Sequence, residues 1–166
     1  MVPFEAESQA RQHSGAVLEA TLRLHTLRPS SFGHNLHMPL VRIEVFKGRS
    51  ASERRSLLDG VHAALVEAFG IPEDDRTQRL VEYDLENLEV EPGRSEKYVL
   101  VEITAFPGRS TAAKRSLCQA IVRRLGAEEV PADDISIVLN EPPLENWGIR
   151  GGRSAHEVDL GFRLDR

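Results

Sequence analysis

Pro39, which directly follows Met38, has the greatest chemical potential of any residue in this sequence. Inside a continuous chain its nitrogen belongs to an amide without an N–H group, so the residue only fixes φ and interrupts a hydrogen-bond ladder. If the mature chain begins at Pro39, the same nitrogen is a secondary amine. An α-amino group titrates near ~7.7–8.0 in model peptides, so burial or a nearby charge can move its pKa across neutrality. The sequence therefore predicts either a structural proline or an acid–base amine.

The other reactive side chains give no comparable signal. Cys118 is the only cysteine among 166 residues, which leaves no internal disulfide and no thiolate cluster for a metal. His34 and His37 lie three residues apart in turn-forming sequence without thiol or acidic neighbours, so we predict neither a metal site nor a cofactor. The net charge of -5, without a long basic run, argues against a nucleic-acid partner. No apolar run reaches ~18 residues and no secretory signal is present, which predicts a cytoplasmic protein that does not bind membranes.

The elements that would position Pro39 occur twice along the chain. The sequence matches itself first at an offset of 60 and then at an offset of 59. The matched pairs include Leu40/Leu100, Val41/Val101, Ile43/Ile103, Phe46/Phe106, Arg49/Arg109, Asp75/Asp134, Asn87/Asn146 and Ser95/Ser154. So ordered a set predicts a duplicated supersecondary unit, with copies at about 39–97 and 98–166. Residues 1–38 form an extension with little periodicity. Translation from Met38, cleavage of the extension, or an inactive long form all remain open, and we favour the first.

Each copy has the same order of elements. An alternating apolar run predicts a strand, a Gly-Arg-Ser turn follows, and apolar residues at helical spacing then predict a helix. Ser50 and Glu53 form a capping box for the first helix, and Ser110 can cap the second. The predicted boundaries are 40–46 and 98–106 for the first strands, Gly70 and about Gly126 for the helix ends, and 77–83 and 135–139 for the second strands.

Two β-α-β units predict an α/β fold with a four-stranded mixed sheet and two helices on one face. We expect the opposite face to be rich in Val, Leu and Ile, and therefore to be closed by self-association.

A duplicated β-α-β unit whose first strand opens Met-Pro-Leu resembles the tautomerase superfamily. The run from Pro39 to about Val158 is most similar to the malonate semialdehyde decarboxylase group and to related tautomerase-like proteins. The resemblance rests on the order and spacing of four segments, PLVRIEVFKGRS, LLDGVHAALVEAFGIPEDDR, ITAFPGRS and ENWGIRGGR.

The resemblance implies a role for each candidate site residue. Members generally begin at the proline and use its free amine, which implies a catalytic Pro39. The decarboxylase group implies that Asp75 activates water and that Arg109 binds the substrate carboxylate, with Gln78 as a further substrate contact. Trp147 and Ile149 correspond to an apolar wall beside the amine. Pro107 and Thr77 depart from the decarboxylase pattern, so the broader tautomerase-type chemistry is the prediction.

These residues predict an enzyme that needs no metal or organic cofactor and acts on a small oxo-carboxylic acid, since a planar guanidinium can hold both carboxylate oxygens. A neutral Pro39 amine would move a proton between carbon and oxygen in a keto–enol tautomerisation. A protonated amine would instead polarise a carbonyl while Asp75 activates water, giving hydration, dehalogenation or decarboxylation. The expected assembly is a homotrimer.

Two other hypotheses remain. One is a noncatalytic oligomeric binding protein in which the extension blocks Pro39. The other, a ferredoxin-like RNA-binding module on an antiparallel sheet, is disfavoured by the acidic charge and the few strand aromatics.

Overall fold

The computed structural model describes residues 39–160. The predicted extension at residues 1–38, with His34 and His37, lies outside the described residues. The remaining elements follow the predicted order closely. They are β1 (Leu40–Phe46), α1 (Ala51–Phe69), β2 (Thr77–Tyr83), β3 (Val99–Thr104), α2 (Thr111–Ala127), β4 (Ile135–Asn140) and the two-residue strands β5 (Gly148–Ile149) and β6 (Arg153–Ser154). The predicted strands and helices are confirmed to within two residues at each end, whereas the β5–β6 hairpin was not predicted.

Both helices begin at the serine of a Gly-Arg-Ser turn. The Ser50 hydroxyl accepts from the Glu53 N–H, and the Glu53 carboxylate accepts from the Ser50 N–H, which completes the predicted capping box. The Ser110 hydroxyl likewise accepts from the Ala113 N–H. The second half of a capping box is missing here, because alanine has no carboxylate that could accept from the Ser110 N–H. The first helix ends at Gly70, whose φ of 64° is a left-handed conformation that glycine adopts at little cost.

The sheet has the strand order β2-β1-β3-β4. β1 runs parallel to β2 and antiparallel to β3, and β3 runs parallel to β4. Each parallel pair is joined through a helix, so the predicted pair of β-α-β units and the mixed sheet are confirmed.

The core lies between the sheet and the two helices. Alternate residues of the central strands pack on the helices, where each fully buried Val, Leu or Ile contributes about 1.5–3 kcal/mol. These core residues include Val41, Ile43, Val45, Val99, Val101 and Ile103 from the strands and Leu57, Val61, Leu65, Leu117, Ile121 and Leu125 from the helices.

The prediction of an apolar outer face is wrong. The same alternation that turns Val and Ile toward the helices turns Arg42, Glu44 and Glu102 to the other side of the sheet. There Arg42 Nε lies 2.7 Å from a Glu44 carboxylate oxygen, and the Arg42 guanidinium donates to the Tyr83 hydroxyl at 2.7 Å. Within residues 39–160, Leu85 and Val138 are the large hydrophobic residues that are exposed. The outer face of the sheet therefore mixes charged and apolar side chains.

A buried carboxylate in the second β-α-β unit holds the linker (84–98) that connects the two β-α-β units. Asp134 is 3% exposed and accepts from both the backbone N–H and the hydroxyl of Ser95. The Ser95 hydroxyl is the main cause of a pKa of Asp134 below its ordinary value of 3.8, against the opposing effect of burial. Asp134 thus has a structural role.

Because the folded pKa of Asp134 is depressed, its stabilising effect should be complete above the unfolded pKa and should disappear as pH falls through the folded pKa. We expect Ser95→Ala to lower the free energy of unfolding by about 1–3 kcal/mol at pH 7. The difference from the unsubstituted protein should shrink below about pH 4, the unfolded range of aspartate. Urea unfolding across pH 7 to pH 3 measures this.

Ser154, the counterpart of Ser95 in the repeat, provides the control. Its hydroxyl accepts from the His156 N–H at 3.3 Å. Within residues 39–160, this hydroxyl has no hydrogen bond to a carboxylate. Ser154→Ala should change stability by an amount that does not vary between pH 7 and pH 3. A Ser95→Ala effect that is equally independent of pH would contradict the assignment.

Candidate active site

The strand order places the predicted catalytic segments at one end of the sheet. Leu40 pairs with Thr77 on β2 and with Thr104 on β3, so the residues just outside these pairs share an edge. Here the "Pro39 end" means Pro39, the Asp75 loop (71–76), the segment 105–109 that follows β3, and Glu141, which follows β4. The Ala105 N–H donates to the Asn140 carbonyl at 3.0 Å and keeps the last two segments together. Pro39 itself is buried.

Asp75 is held in a short turn between α1 and β2. Its N–H donates to the Pro72 carbonyl at 3.1 Å, and the Arg76 N–H donates to the Asp74 carbonyl at 3.0 Å. The side chain of Asp75 is half-buried. Two successive backbone hydrogen bonds thus hold the backbone of this turn. The turn therefore places Asp75 two residues before β2, at the sheet end where β1 begins.

Gln78 lies beside Arg76, on the helix side of the sheet. Its register partner on β1 is Val41, a core residue, so both side chains point toward the helices. The Gln78 carbonyl oxygen accepts from Arg76 Nε at 3.0 Å. Because a guanidinium has only donors, this contact turns the Gln78 amide nitrogen away from Arg76.

Arg109 lies at the entrance of α2, after a glycine with φ of 112°. Its guanidinium carbon is 4.9 Å from the centroid of the Phe69 ring, the last residue of α1. Such cation–π stacking supports the flat face of the guanidinium while its edge, which carries the N–H donors, can address a planar anion. Phe69 was not predicted as a site residue. Its signal was only its place at the end of an apolar helix stripe.

Trp147 and Ile149 form a small apolar cluster on the other side of the sheet. The Phe106 and Trp147 ring centroids are 4.7 Å apart, and Leu40 packs against this cluster. The indole Nε1–H of Trp147 donates to the Pro142 carbonyl at 3.2 Å, which satisfies the polar edge of the buried ring. The cluster thus contacts the residue next to Pro39. Sequence reasoning assigned this wall to Trp147 and Ile149 and missed Phe106.

The Pro39 end also contains an ion pair that sequence reasoning missed. Lys114, in the first turn of α2, donates to the Glu141 carboxylate at the end of β4. Glu141 directly follows β4, which ends at this edge of the sheet. This position in the sequence could have indicated a carboxylate near the site. The pair adds a lysine and a carboxylate to the charged groups at this end of the sheet.

The residues between 39 and 160 contain no group of three or more His, Cys, Asp and Glu side chains arranged to hold a metal ion. In the same range neither helix is both long and apolar enough to cross a membrane.

Comparison with known proteins identifies the family. Two family models, each described as a tautomerase enzyme, match residues 39–98 and 75–150. The solved structure of FG41 malonate semialdehyde decarboxylase inhibited by 3-bromopropiolate is 32% identical, with a TM-score of 0.63 over 70% of this chain and 92% of that protein. This chain belongs to the tautomerase superfamily. The predicted resemblance is thereby confirmed.

Two further relatives extend the comparison. Probable tautomerase YusQ of Bacillus subtilis (strain 168) is 28% identical over 123 residues, which are 70% of this chain and 97% of YusQ. A fused 4-OT, whose structure is described as a wild-type symmetric trimer, is 25% identical with a TM-score of 0.63 over 70% of this chain and 96% of that chain.

The duplication gives the sheet a second end that corresponds to the Pro39 end. Val99 occupies the position that corresponds to Pro39, and the linker precedes it. Arg49, the counterpart of Arg109, donates to the Lys97 carbonyl at 2.7 Å. Asp134, the counterpart of Asp75, is engaged by Ser95. The linker thus contacts both Arg49 and Asp134, the counterparts of Arg109 and Asp75.

Proposed function

We propose that the mature protein begins at Pro39 and uses its secondary amine as an acid or base on a small oxo-carboxylic acid. The observation that carries this proposal is the strand order β2-β1-β3-β4. It sets the start of β1, which Pro39 directly precedes, between β2, which follows the Asp75 loop, and β3, which precedes the turn that carries Arg109. An amine, a carboxylate and a guanidinium that converge on one sheet end form the minimum set for proton transfer on a bound carboxylate.

The surrounding side chains then have distinct roles. Arg109 binds the substrate carboxylate through its N–H edge, with Phe69 behind its flat face. The cluster of Trp147, Ile149 and Phe106 excludes water from one side of the amine, and Gln78 supplies a further amide contact. Asp75 either activates water or stabilises the protonated amine. A similar protein acts as a malonate semialdehyde decarboxylase, which supports an oxo acid as the substrate class.

We also propose a homotrimer, since a fused 4-OT of the same fold is described as a trimer. The outer face of the sheet offers both charges and apolar groups for such an assembly, with Arg42 and Glu44 paired within one chain.

The experiment that tests the function combines native mass spectrometry with a pH–rate profile. We expect a species that starts at Pro39, assembles as a trimer and is active on a panel of enols and oxo acids such as phenylenolpyruvate. If the neutral amine is the base, kcat/KM should rise with pH through the pKa of the amine; if the protonated amine is the acid, kcat/KM should fall through it.

Asp75→Asn separates the two chemistries. It should reduce hydration or decarboxylation of a β-oxo acid by about 100-fold or more, the range for a lost general base, while a tautomerisation by neutral Pro39 should change less. A native protein that retains residues 1–38 and binds oxo acids without turnover would instead establish the noncatalytic binding protein.

A further inference from the structure

The loop that carries Asp75 is attached to α1 on both sides of the aspartate. Before Asp75, the Glu73 carbonyl oxygen lies 2.9 Å from His62 Nε2. After it, the Arg76 guanidinium bonds to the Asp59 carboxylate. Asp59 and His62 are three residues apart in one helix and therefore lie on the same face.

His62 has a defined role in this arrangement. It is 5% exposed, and its Nε2 faces a carbonyl oxygen, which can only accept. Nε2 therefore carries the proton and donates to Glu73. The Glu73 carboxylate lies 3.8 Å from the same nitrogen but is 84% exposed, so the ion pair adds little to the backbone contact. A buried ring that donates to a carbonyl fixes the backbone two residues before Asp75.

Asp59 holds the other side of the loop. One of its oxygens accepts from Arg76, and the other accepts from Arg55 Nε at 3.2 Å. The Arg76 side chain, as the main cause, holds the pKa of Asp59 below its ordinary value, so this carboxylate is charged at neutral pH. Arg76 also donates to Gln78, which ties the residue after Asp75 to both α1 and β2.

We propose that His62 and Asp59 are positioning residues that clamp the loop around Asp75 and so fix the direction of its carboxylate. This inference rests on the proposed function for its catalytic consequence, because a misplacement of about 1 Å at a reacting group can reduce turnover by up to 10²-fold. The clamp itself can be measured without turnover.

Amide hydrogen exchange tests the clamp directly. We expect His62→Leu to speed the exchange of the Asp75 and Arg76 amides by about tenfold or more, because the loop then opens locally more often. His62→Gln should restore slow exchange, since its amide N–H can donate to the same carbonyl. Asp59→Ala, a change at an exposed position, should speed exchange at Arg76, and Asp59→Asn, which keeps an acceptor oxygen, should do so less.

The other repeat provides the internal control. The Asp134 N–H donates to the Pro131 carbonyl at 2.9 Å, as the Asp75 N–H donates to Pro72. Exchange at Asp134 should stay unchanged in all four variants. Unchanged exchange at Asp75 and Arg76, or an equal increase at Asp134, overturns the proposal.

Kinetics then connect the clamp to catalysis. If Asp75 acts as proposed, His62→Leu should lower kcat by about tenfold with little change in KM, and the same substitution should have no further effect in the Asp75→Asn protein. Additive losses in the double variant overturn the positioning role, because a merely structural defect would lower activity in either background. If Asp75→Asn alone leaves kcat unchanged, the role proposed for Asp75 is wrong. The exchange data would still test whether His62 and Asp59 hold the loop.

Discussion

A chain that begins at Pro39 is expected to convert phenylenolpyruvate at least about 100-fold faster, in kcat/KM, than the same chain with residues 1–38 attached. An amide nitrogen has neither an available lone pair nor a titratable proton, and general acid–base catalysis typically contributes 10²–10⁴-fold. The two forms are best compared after mass spectrometry has verified each N-terminus. Full turnover by the longer form, with its extension intact, would contradict the mechanism.

Pro39→Ala in the shorter chain isolates the contribution of the pyrrolidine ring. The variant keeps a terminal amine but exchanges a rigid secondary amine for a mobile primary one. We expect its kcat/KM to fall below that of the chain that begins at Pro39, and its pH–rate profile to shift with the new amine. Val99→Ala changes the counterpart residue at the second end, and should reduce stability through lost core volume without shifting that profile.

Replacement of Arg109 with alanine is expected to lower kcat/KM for an oxo acid by about 10–100-fold, mainly through KM. A hydrogen bond to a charged group contributes about 1.5–3 kcal/mol, which is a factor of this size. Arg109→Lys should recover only part of the loss, since an ammonium cannot bind both carboxylate oxygens in one plane or stack on Phe69 in the same way. Steady-state kinetics with an oxo acid and with its methyl ester separate carboxylate binding from general damage, because the ester should lose much less.

Arg49→Ala is the matched control that the repeat offers. Arg49 has the same turn position before a capping serine, but it donates to the Lys97 carbonyl. Its removal should lower stability modestly and leave KM unchanged. Equal effects of Arg49→Ala and Arg109→Ala on KM would show that both arginines act only in helix entry or assembly. Such a result would contradict the substrate role of Arg109.

Two structural aspartates, Asp134 and Asp59, could also contribute to the pH profile. Asp134 and Asp59 both have lowered pKa values because of hydrogen bonds, so they titrate below the range in which the amine of Pro39 is expected to change charge. A transition in kcat/KM near neutral pH should therefore not come from the loss of the contacts that Asp134 and Asp59 make.

Much of the fold was predictable because duplication makes the sequence report each element twice. The Gly-Arg-Ser turns and capping serines recur at an offset of 60 and the Asp-Asp turns at an offset of 59, and local chemistry sets each of them. Alternating Val and Ile predicted the strands, and the helices ended near glycines. The resemblance to the tautomerase superfamily came from the order of these same segments.

The outer face of the sheet was not predicted correctly from the sequence. The core took the β-branched residues at alternate positions, and the charged residues between them were left for the opposite face. The sequence prediction recognised the alternating strands but did not place the intervening charged residues on the outer face, so it expected that face to be apolar. The β5–β6 hairpin was also missed, because two-residue strands have no periodicity to detect.

By itself the sequence determined the two β-α-β units, their caps and turns, the family and the residues able to do acid–base chemistry, because these depend on neighbours close along the chain. Tertiary structure alone decided that Pro39, the Asp75 loop and Arg109 share one end of the sheet, that Phe69 and Phe106 support them, and that the linker fills the equivalent end. The physical reason is that strand order and register bring together residues far apart in sequence, and only the packed sheet sets both.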